Sequence, residues 1–370
     1  MRLVMTLVVR NEEELLATNL DYHFAQGVDF ALVTDHGSSD GTAEILGRYA
    51  REGLVRVFTE REVGHDQARR VTRMARIAAA EHGADWVINN DADEFWWPQL
   101  GSLRDVFAAV PPEFGQVEVK RHNFLPRPDD GEPFFRRMVY REARSLNPSA
   151  LPLEPKVAHR GDPAVVVAAG NHRLLTNGLR PMPATDLVEI FHLPMRTYDQ
   201  FERKVVQIGE GYENLPGRDD GDGRDQLKLL EIYRAGRLRE YFDEHARSEE
   251  ALTDELERGA VLLDRRLAGF LDRLEGRIGG DGPVEHAPEE LLSLALTRAL
   301  ELEHARARIR ELELSVTSGR AEAASSEAAR DEAVAERDAA VEALDLLRGS
   351  HLVRHTKSLR TLYYRVRART

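Results

Sequence analysis

The chain has 370 residues, of which 42% are hydrophobic, so it can bury a core in one large domain or in two to three smaller ones. Its charged share of 31% exceeds the usual quarter and indicates that part of the chain is solvated helix. The absence of cysteine excludes disulfides, thiolate metal ligands and a cysteine nucleophile. The net charge of −13 argues against general nucleic-acid binding, and we expect no nucleic-acid partner.

The apolar segments predict strands rather than membrane spans. The longest runs, residues 3–9 and 164–169, are far shorter than the roughly 20 residues that cross a bilayer. No small-residue cleavage site follows the first run, which passes directly into Arg10 and three glutamates. We therefore predict a buried first strand and a cytoplasmic protein.

The first 95 residues alternate between strand-like and helix-like patterns. Asn11 is placed as the N-cap of the first helix because Glu14 follows three residues later, as in a capping box. This alternation predicts βαβ units and a parallel sheet. The predicted strands cover residues 3–9, 30–34, 54–59 and 85–90, and the predicted third helix covers residues 66–82.

Polar motifs follow three of these predicted strands. They comprise residues 10–13, 35–40 and 91–94. Because ligands of such sheets bind beyond the carboxyl ends of the strands, we expect the three motifs to meet at one edge.

Asp91 and Asp93 are the strongest candidates for chemistry. Residues two apart in an extended chain point to the same side, so both carboxylates can face one divalent cation. Carboxylate oxygens suit Mg²⁺ or Mn²⁺, and such an ion can neutralise a diphosphate leaving group. Asp-x-Asp alone is a weak signal, but its position after an apolar strand strengthens it.

The order of these motifs resembles the family 2-like glycosyltransferases with the GT-A fold, and within them the subgroup whose acidic motif is DxDEF. The resemblance covers roughly residues 1–205 and depends on residues 10–12, 35, 38–42, 64–69 and 91–95. It implies an α/β nucleotide-diphospho-sugar transferase fold with a Rossmann-like mixed sheet. It also implies a metal-dependent, inverting hexosyltransferase that uses a nucleotide-sugar donor.

The resemblance also implies roles for individual residues. Asn11 and Glu12 would line the base and ribose pocket, and Asp35 would hydrogen-bond the base. Asp93 would ligate the metal, whereas Asp91 would ligate it or contact the ribose. The remaining implied donor-site and metal-site residues are Arg10 and Arg69 near the donor, and His192 as a late metal ligand with His172 as its rival.

The catalytic base has no clear motif in this sequence. Inverting transfer needs a carboxylate that deprotonates the acceptor hydroxyl. The nearest candidates are Glu154 and Asp162, and we favour Glu154.

Composition divides the rest of the chain. We predict a transferase domain over 1–208, a mobile Gly/Asp-rich loop over 209–225, a helical extension over 226–278 and a linker over 279–288. Heptad-like spacing of Leu302, Ile309 and Val316 predicts a coiled coil over 289–350, and through it a homodimer. A single exposed helix or partial disorder is the alternative.

The last segment, residues 351–370, carries six basic residues and no acid, interleaved with apolar ones. A basic amphipathic helix of this kind can lie on the inner face of a membrane, where lipid-linked acceptors are found. A solvated terminal helix is the equal alternative.

These observations favour an enzyme that transfers a sugar from a nucleotide-sugar, expected to be a UDP-sugar, to a hydroxyl of a glycan or lipid-linked acceptor. Its expected cofactor is Mn²⁺ or Mg²⁺. One alternative is a sugar nucleotidylyltransferase, although the Gly-rich phosphate-binding loop of that class does not follow the first predicted strand. The other is a non-catalytic scaffold that acts through the coiled coil.

Overall fold

The computed structural model describes residues 1–60, 66–176, 178–183, 186–215, 223–276 and 289–322, with isolated positions between 334 and 341. The predicted linker over 279–288 and the predicted basic tail over 351–370 lie outside these residues. None of the helices in the described ranges has both the length and the apolar character that a bilayer crossing requires.

The N-terminal part alternates strands and helices as predicted. Every residue of the first strand except Val8 is buried, and all but Thr6 are apolar, as expected of a parallel strand covered on both faces. The elements are β1 (Leu3–Val9), α1 (Leu16–Ala25), β2 (Phe30–Asp35), α2 (Thr42–Arg51), β3 (Val55–Thr59), α3 (Gln67–Ala80) and β4 (Trp86–Asn90).

Further strands extend this unit into one mixed sheet of eight strands. The elements that follow β4 are β5 (Glu94–Pro98), α4 (Leu103–Ala109), β6 (Gln116–Asn123), α5 (Phe134–Arg137), β7 (Tyr140–Glu142), β8 (Lys156–Arg160) and β9 (Val188–His192), with a 3₁₀ turn at Ala169–Asn171. Of these strands, β7 lies outside the eight-stranded sheet. The strand order is β3-β2-β1-β4-β8-β6-β9-β5. The strands β3, β2, β1 and β4 are parallel, whereas β8 is antiparallel to both β4 and β6. The predicted α/β fold with a mixed sheet is confirmed.

The C-terminal part is mainly helical. It contains α6 (Tyr198–Glu213), α7 (Arg224–Arg234), α8 (Leu238–Ala246), α9 (Glu249–Glu257), β10 (Val261–Leu263), α10 (Arg266–Glu275) and α11 (Glu289–Glu322). Strand β10 pairs with β7, and Leu267 and Leu271 of α10 share a core with Tyr22, Phe95 and Trp97. The predicted boundary at residue 208 therefore does not separate two hydrophobic cores.

The predicted loop over 209–225 is too long, because α6 continues through Glu213 and α7 begins at Arg224. Gly209 belongs to the helix for a packing reason. A Cβ at that position would lie 2.8 Å from the Cβ of Leu230, so α6 and α7 approach closely there. The composition predicts a loop, whereas Gly209 serves helix packing. Residues 216–222 lie outside the described residues.

The start of α11 is not a single exposed helix, which was the alternative to the predicted coiled coil. Leu292 and Leu296 are buried in the main core, and α11 packs against α4. Its apolar residues therefore have an intramolecular partner, at least over the first turns. The coiled coil and the homodimer stay predictions.

The first helix also begins later than predicted. Asn11 has a φ of 56° and α1 starts at Leu16, so Asn11 is not its N-cap. Its side-chain oxygen instead accepts a hydrogen bond from the backbone N–H of Ser39, at 2.8 Å. Asparagine tolerates this left-handed conformation better than most residues do.

Candidate functional site

The loops that follow β1, β2 and β4 meet at one edge of the sheet, as predicted. The backbone N–H of Asn11 donates to Ser38 Oγ at 3.0 Å, and the N–H of Glu12 donates to Thr42 Oγ1 at 2.9 Å. Glu12, Ser38 and both aspartates of the acidic motif line one cavity. The strand order brings them together because β1 lies between β2 and β4.

This cavity has a volume of about 2130 Å³. Ligand pockets usually measure roughly 300 to 1,000 Å³, so it has room for more than one substrate. One wall is the sheet edge, and the opposite wall is formed by α6, the start of α7 and part of α8.

Asp91 is fully engaged by groups of this chain. Its Oδ1 accepts hydrogen bonds from Gln67 Nε2 at 3.0 Å and from Asn171 Nδ2 at 3.1 Å. Its Oδ2 pairs with Lys156 Nζ, which also donates to the carbonyl of Gly170 at 2.7 Å. Burial opposes ionisation, but Lys156 outweighs it and lowers the pKa of Asp91. Asp91 is therefore a fixed carboxylate.

Asp93 faces His192. Strands β5 and β9 pair so that Glu94 lies opposite His192, and His192 Nε2 is 3.7 Å from Asp93 Oδ2. Burial lowers the pKa of His192 to about 3, so the imidazole is neutral at physiological pH. The same carboxylate oxygen also contacts Lys204 Nζ from α6.

The tautomer of His192 follows from its hydrogen bonds. His192 Nδ1 is 2.8 Å from Asn123 Oδ1. The amide of Asn123 cannot be turned round, because its Nδ2 donates to Glu142 Oε2 at 3.4 Å and to the carbonyl of Leu146 at 3.2 Å. Nδ1 of His192 must therefore carry the proton, and the lone pair of Nε2 faces Asp93.

Glu12 belongs to a second charged layer beside Asp93. Its carboxylate accepts a hydrogen bond from Arg196 Nη2 at 3.0 Å and lies 3.8 Å from Lys204 Nζ. Burial raises the pKa of Glu12, in spite of these two cations.

Glu94 is buried as well, and Arg121 Nη1 is 3.3 Å from it. Burial raises the pKa of Glu94 to about 7.

The predicted donor-site residues are brought together only in part. Arg10, Asn11 and Glu12 line the cavity. Asp35 is buried, and its Oδ1 accepts a hydrogen bond from Ser38 N–H at 2.9 Å, so it holds the loop that lines the cavity. Arg69 pairs with Glu60 at 3.2 Å, whereas its neighbours Gln67 and Ala68 line the cavity.

The two candidate bases lie at opposite ends of the strands of the sheet. Glu154 lines the cavity, and its side chain is 72% exposed. Asp162 follows β8, which runs antiparallel to β4 with Arg160 opposite Trp86. Asp162 therefore lies beyond the amino end of β4, away from Asp93, and is excluded as the base. The sequence could not show this because it does not reveal the direction of β8.

The contacts of His172 are with Pro155 and Glu154 rather than with Asp93. Its Nδ1 is 2.9 Å from the carbonyl of Pro155, and its Nε2 is 3.7 Å from Glu154 Oε2. Burial, followed by the charge of Lys156, lowers the pKa of His172 to about 3. Of the two histidines, His192 is the one that faces Asp93.

Sequence reasoning missed the two lysines at the acidic motif as a pair. The chain has only five lysines among its 51 basic residues, yet Lys156 contacts Asp91 and Lys204 contacts Asp93. In a chain that otherwise uses arginine, lysine at these positions was a signal of a specific contact. A compact ammonium and a planar guanidinium are not interchangeable at such a contact. Arg121, Asn123 and Arg196 carried no comparable signal.

Asp93 and His192 together fit a divalent cation. Two electron-pair donors face each other at 3.7 Å, and the second nitrogen of the imidazole is fixed by Asn123, as is usual for metal-binding histidines. Within the described residues, no group of three or more histidine, aspartate or glutamate side chains could hold a metal. Substrate or water oxygens would therefore complete the coordination.

Comparison with known proteins identifies the type of enzyme. Residues 5–177, just under half of the chain, match the sequence model of glycosyltransferase family 92. The chain is a glycosyltransferase. The finer assignment to family 2 and its DxDEF subgroup is not confirmed by this match. No match was found among curated proteins.

Solved structures show a distant likeness. TarS residues 1–349 from S. aureus, solved in complex with UDP, is 13% identical, with 64% of this chain and 72% of that chain covered and a TM-score of 0.33. The mannosyltransferase PcManGT from Pyrobaculum calidifontis, solved with GDP-Man and Mn²⁺, is 18% identical, with 82% and 86% covered and a TM-score of 0.33. Glucosyl-3-phosphoglycerate synthase from Mycobacterium tuberculosis is 20% identical, with 33% and 44% covered and a TM-score of 0.24. With TM-scores this low, these likenesses carry no argument about the donor, metal or acceptor of this chain.

Proposed function

We propose that this glycosyltransferase takes a nucleotide-sugar donor, with a divalent cation bound by Asp93 and His192, and transfers the sugar with inversion to a hydroxyl acceptor. The observation that carries the proposal is the pair of electron-pair donors, Asp93 Oδ2 and His192 Nε2, that face each other 3.7 Å apart at the carboxyl edge of the sheet. A bound Mn²⁺ or Mg²⁺ would neutralise the diphosphate leaving group.

The donor would lie with its diphosphate near Asp93 and its nucleoside along the loops after β1 and β2. Asn11, Glu12 and Ser38 line this part of the cavity, and Asp35 holds the second loop in place. Asp91 would position the neighbouring groups rather than ligate the metal, because three donors already satisfy its oxygens. We expect a UDP-sugar, and the experiment below compares the nucleotides.

The acceptor would enter the remaining part of the cavity. Glu154 is the proposed general base, since its exposed carboxylate lines the cavity and keeps water access for proton exchange. The proposed acceptor is a hydroxyl of a glycan or of a lipid-linked precursor. The size of the cavity supports simultaneous binding of donor and acceptor, which direct inversion requires.

Thermal unfolding with nucleotides tests this proposal. Melting temperatures would be measured with UDP, GDP, dTDP and CDP, each with and without Mn²⁺. A ligand at a hundred times its Kd adds ~2.7 kcal/mol to stability, which corresponds to a few degrees in Tm. We expect one nucleotide to stabilise the protein only when Mn²⁺ is present.

Two variants make the result specific. Asp93→Asn should lose the metal-dependent shift, whereas Asp162→Asn, the same change at the opposite edge of the sheet, should keep it. If no nucleotide raises the melting temperature of the folded protein, or if both variants respond alike, the proposed donor site is wrong.

A further inference from the structure

The two lysines at the acidic motif differ in how firmly they are held. Lys156 is buried, with 2% of its side chain exposed, and contacts Asp91, the Gly170 carbonyl and, at 3.5 Å, Glu94. Lys204 keeps 28% of its side chain exposed and faces the cavity. Lys156 is thus a fixed counter-ion of Asp91, whereas Lys204 has room to move.

Lys204 contacts the same atom that faces His192. The ammonium of Lys204 pairs with Asp93 Oδ2, and His192 Nε2 is 3.7 Å from that oxygen. Two carboxylates, Asp93 in direct contact and Glu12 at 3.8 Å, surround this ammonium and favour its charged form in the donor-free site. A divalent cation bound to Asp93 would therefore meet a positive charge already in contact with its ligand.

We propose that Lys204 occupies Asp93 when no donor is bound and exchanges that carboxylate for the donor diphosphate when the divalent cation binds. This inference rests on the proposed function, because it requires a nucleotide donor and a metal at Asp93. It makes binding of the metal and of the nucleotide diphosphate cooperative. Without a diphosphate the metal must displace an ammonium whose remaining anion, Glu12, is already paired with Arg196, whereas with a diphosphate the ammonium gains a new anion.

The surroundings of Lys204 allow this exchange by side-chain movement alone. Phe201 and Val205 on the same helix are buried against α8, which fixes the backbone of α6. The Lys204 ammonium also lies 3.8 Å from Glu12, an anion that can retain it beside the cavity during exchange. The four-carbon stem of lysine lets a compact charge pivot between neighbouring anions, which a bidentate arginine does less readily.

The test is the affinity for Mn²⁺, measured by electron paramagnetic resonance of the free ion, with and without nucleotide. The nucleotide is the one among UDP, GDP, dTDP and CDP that stabilises the protein most. Lys204→Met removes the charge at similar length. Lys228→Met on α7, where the lysine donates to the Pro148 carbonyl, is the matched control.

We expect Lys204→Met to bind Mn²⁺ without nucleotide at least about tenfold more tightly than the wild type, since one positive charge near the metal is removed. The tightening of Mn²⁺ binding by nucleotide should shrink by a similar factor, because the variant has no ammonium that the diphosphate could draw away from Asp93. Since coupling between two ligands is reciprocal, the tightening of nucleotide binding by Mn²⁺ should shrink equally. Lys228→Met should behave as the wild type. Lys204→Gln, with its own melting curve, replaces the methionine variant if that protein does not fold.

Two results would overturn the inference in distinguishable ways. If nucleotide and Mn²⁺ bind the wild type but neither Lys204 variant binds Mn²⁺ more tightly on its own, Lys204 does not compete with the metal and the proposed function stands. If no nucleotide binds, with or without Mn²⁺, the proposed function fails and the inference fails with it.

Discussion

The orientation of His192 by Asn123 yields the most detailed prediction. Asn123→Leu keeps a side chain of similar size but removes the oxygen that accepts a hydrogen bond from His192 Nδ1 at 2.8 Å. The imidazole would then lose the partner that fixes its tautomer and its rotation. Loss of such a partner typically costs ~10- to 100-fold in metal affinity. This equals about 1.4 to 2.7 kcal/mol of binding free energy.

The substitution also affects stability, and the two effects must be separated. Asn123 Nδ2 donates to Glu142 and to the Leu146 carbonyl, and because these acceptors are half-buried or exposed, loss of the two hydrogen bonds costs about 0.5 to 1.5 kcal/mol each. A lower melting temperature alone would therefore say nothing about the metal. The assay is Mn²⁺ affinity, measured with nucleotide present at a temperature where the variant is folded.

A double-mutant cycle with His192→Gln provides the control. If Asn123 acts through the imidazole, Asn123→Leu should weaken Mn²⁺ binding in the wild type and change it little in the His192→Gln background. An equal loss in both backgrounds would refute the positioning argument. Unchanged affinity in the wild-type background would refute it as well.

Three further predictions test the base, the buried His23 and helix packing. Glu154→Gln should lower the transfer rate at least a hundredfold and leave nucleotide binding unchanged, whereas Glu210→Gln, an exposed carboxylate in the same cavity, should transfer normally. Burial lowers the pKa of His23 to about 4 from 6.5, so below pH 6.5 the unfolded chain takes up a proton that the folded chain refuses; stability should fall by about 3 kcal/mol between pH 6.5 and pH 4, and His23→Gln should lessen that fall in urea unfolding. Gly209→Ala should cost about 1 to 3 kcal/mol by overpacking the α6–α7 contact, whereas Gly47→Ala, whose Cβ meets only a flexible arginine tip, should stabilise α2 by about 0.5 to 1 kcal/mol.

Each of these predictions has a result that contradicts it. Normal transfer by Glu154→Gln would remove Glu154 as the base. An unchanged pH dependence in His23→Gln would mean that this histidine is not neutral in the folded protein. Equal effects of the two glycine substitutions would show that the close helix approach is relieved at little cost.

The N-terminal half of the fold could be predicted from the sequence because its signals are local. Apolar runs of strand length alternate with amphipathic helices, and parallel strands joined by helices place their carboxyl ends at one edge. The acidic pair at residues 91–93 follows one of these strands, so its place at the site edge was predictable. So was its meeting with the loop at residues 10–12.

The rest of the site was decided by tertiary structure. Whether Glu154 or Asp162 reaches the cavity depends on the antiparallel direction of β8. Whether His172 or His192 faces Asp93 depends on the pairing of β9 with β5 and on the hydrogen bond to Asn123. Neither the direction of a strand nor the contacts of a side chain leave a periodic pattern in the sequence, because both depend on pairing with segments that are distant along the chain.

The charge balance of the site shows the same division. The sequence determined that two carboxylates stand side by side, and its scarcity of lysine was visible in the composition. Only the fold places Lys156 from β8 and Lys204 from α6 on Asp91 and Asp93, from positions 65 and 111 residues away along the chain. The packing of β8 and α6 against the rest of the fold brings these two lysines to their carboxylates. No local sequence pattern contains that information.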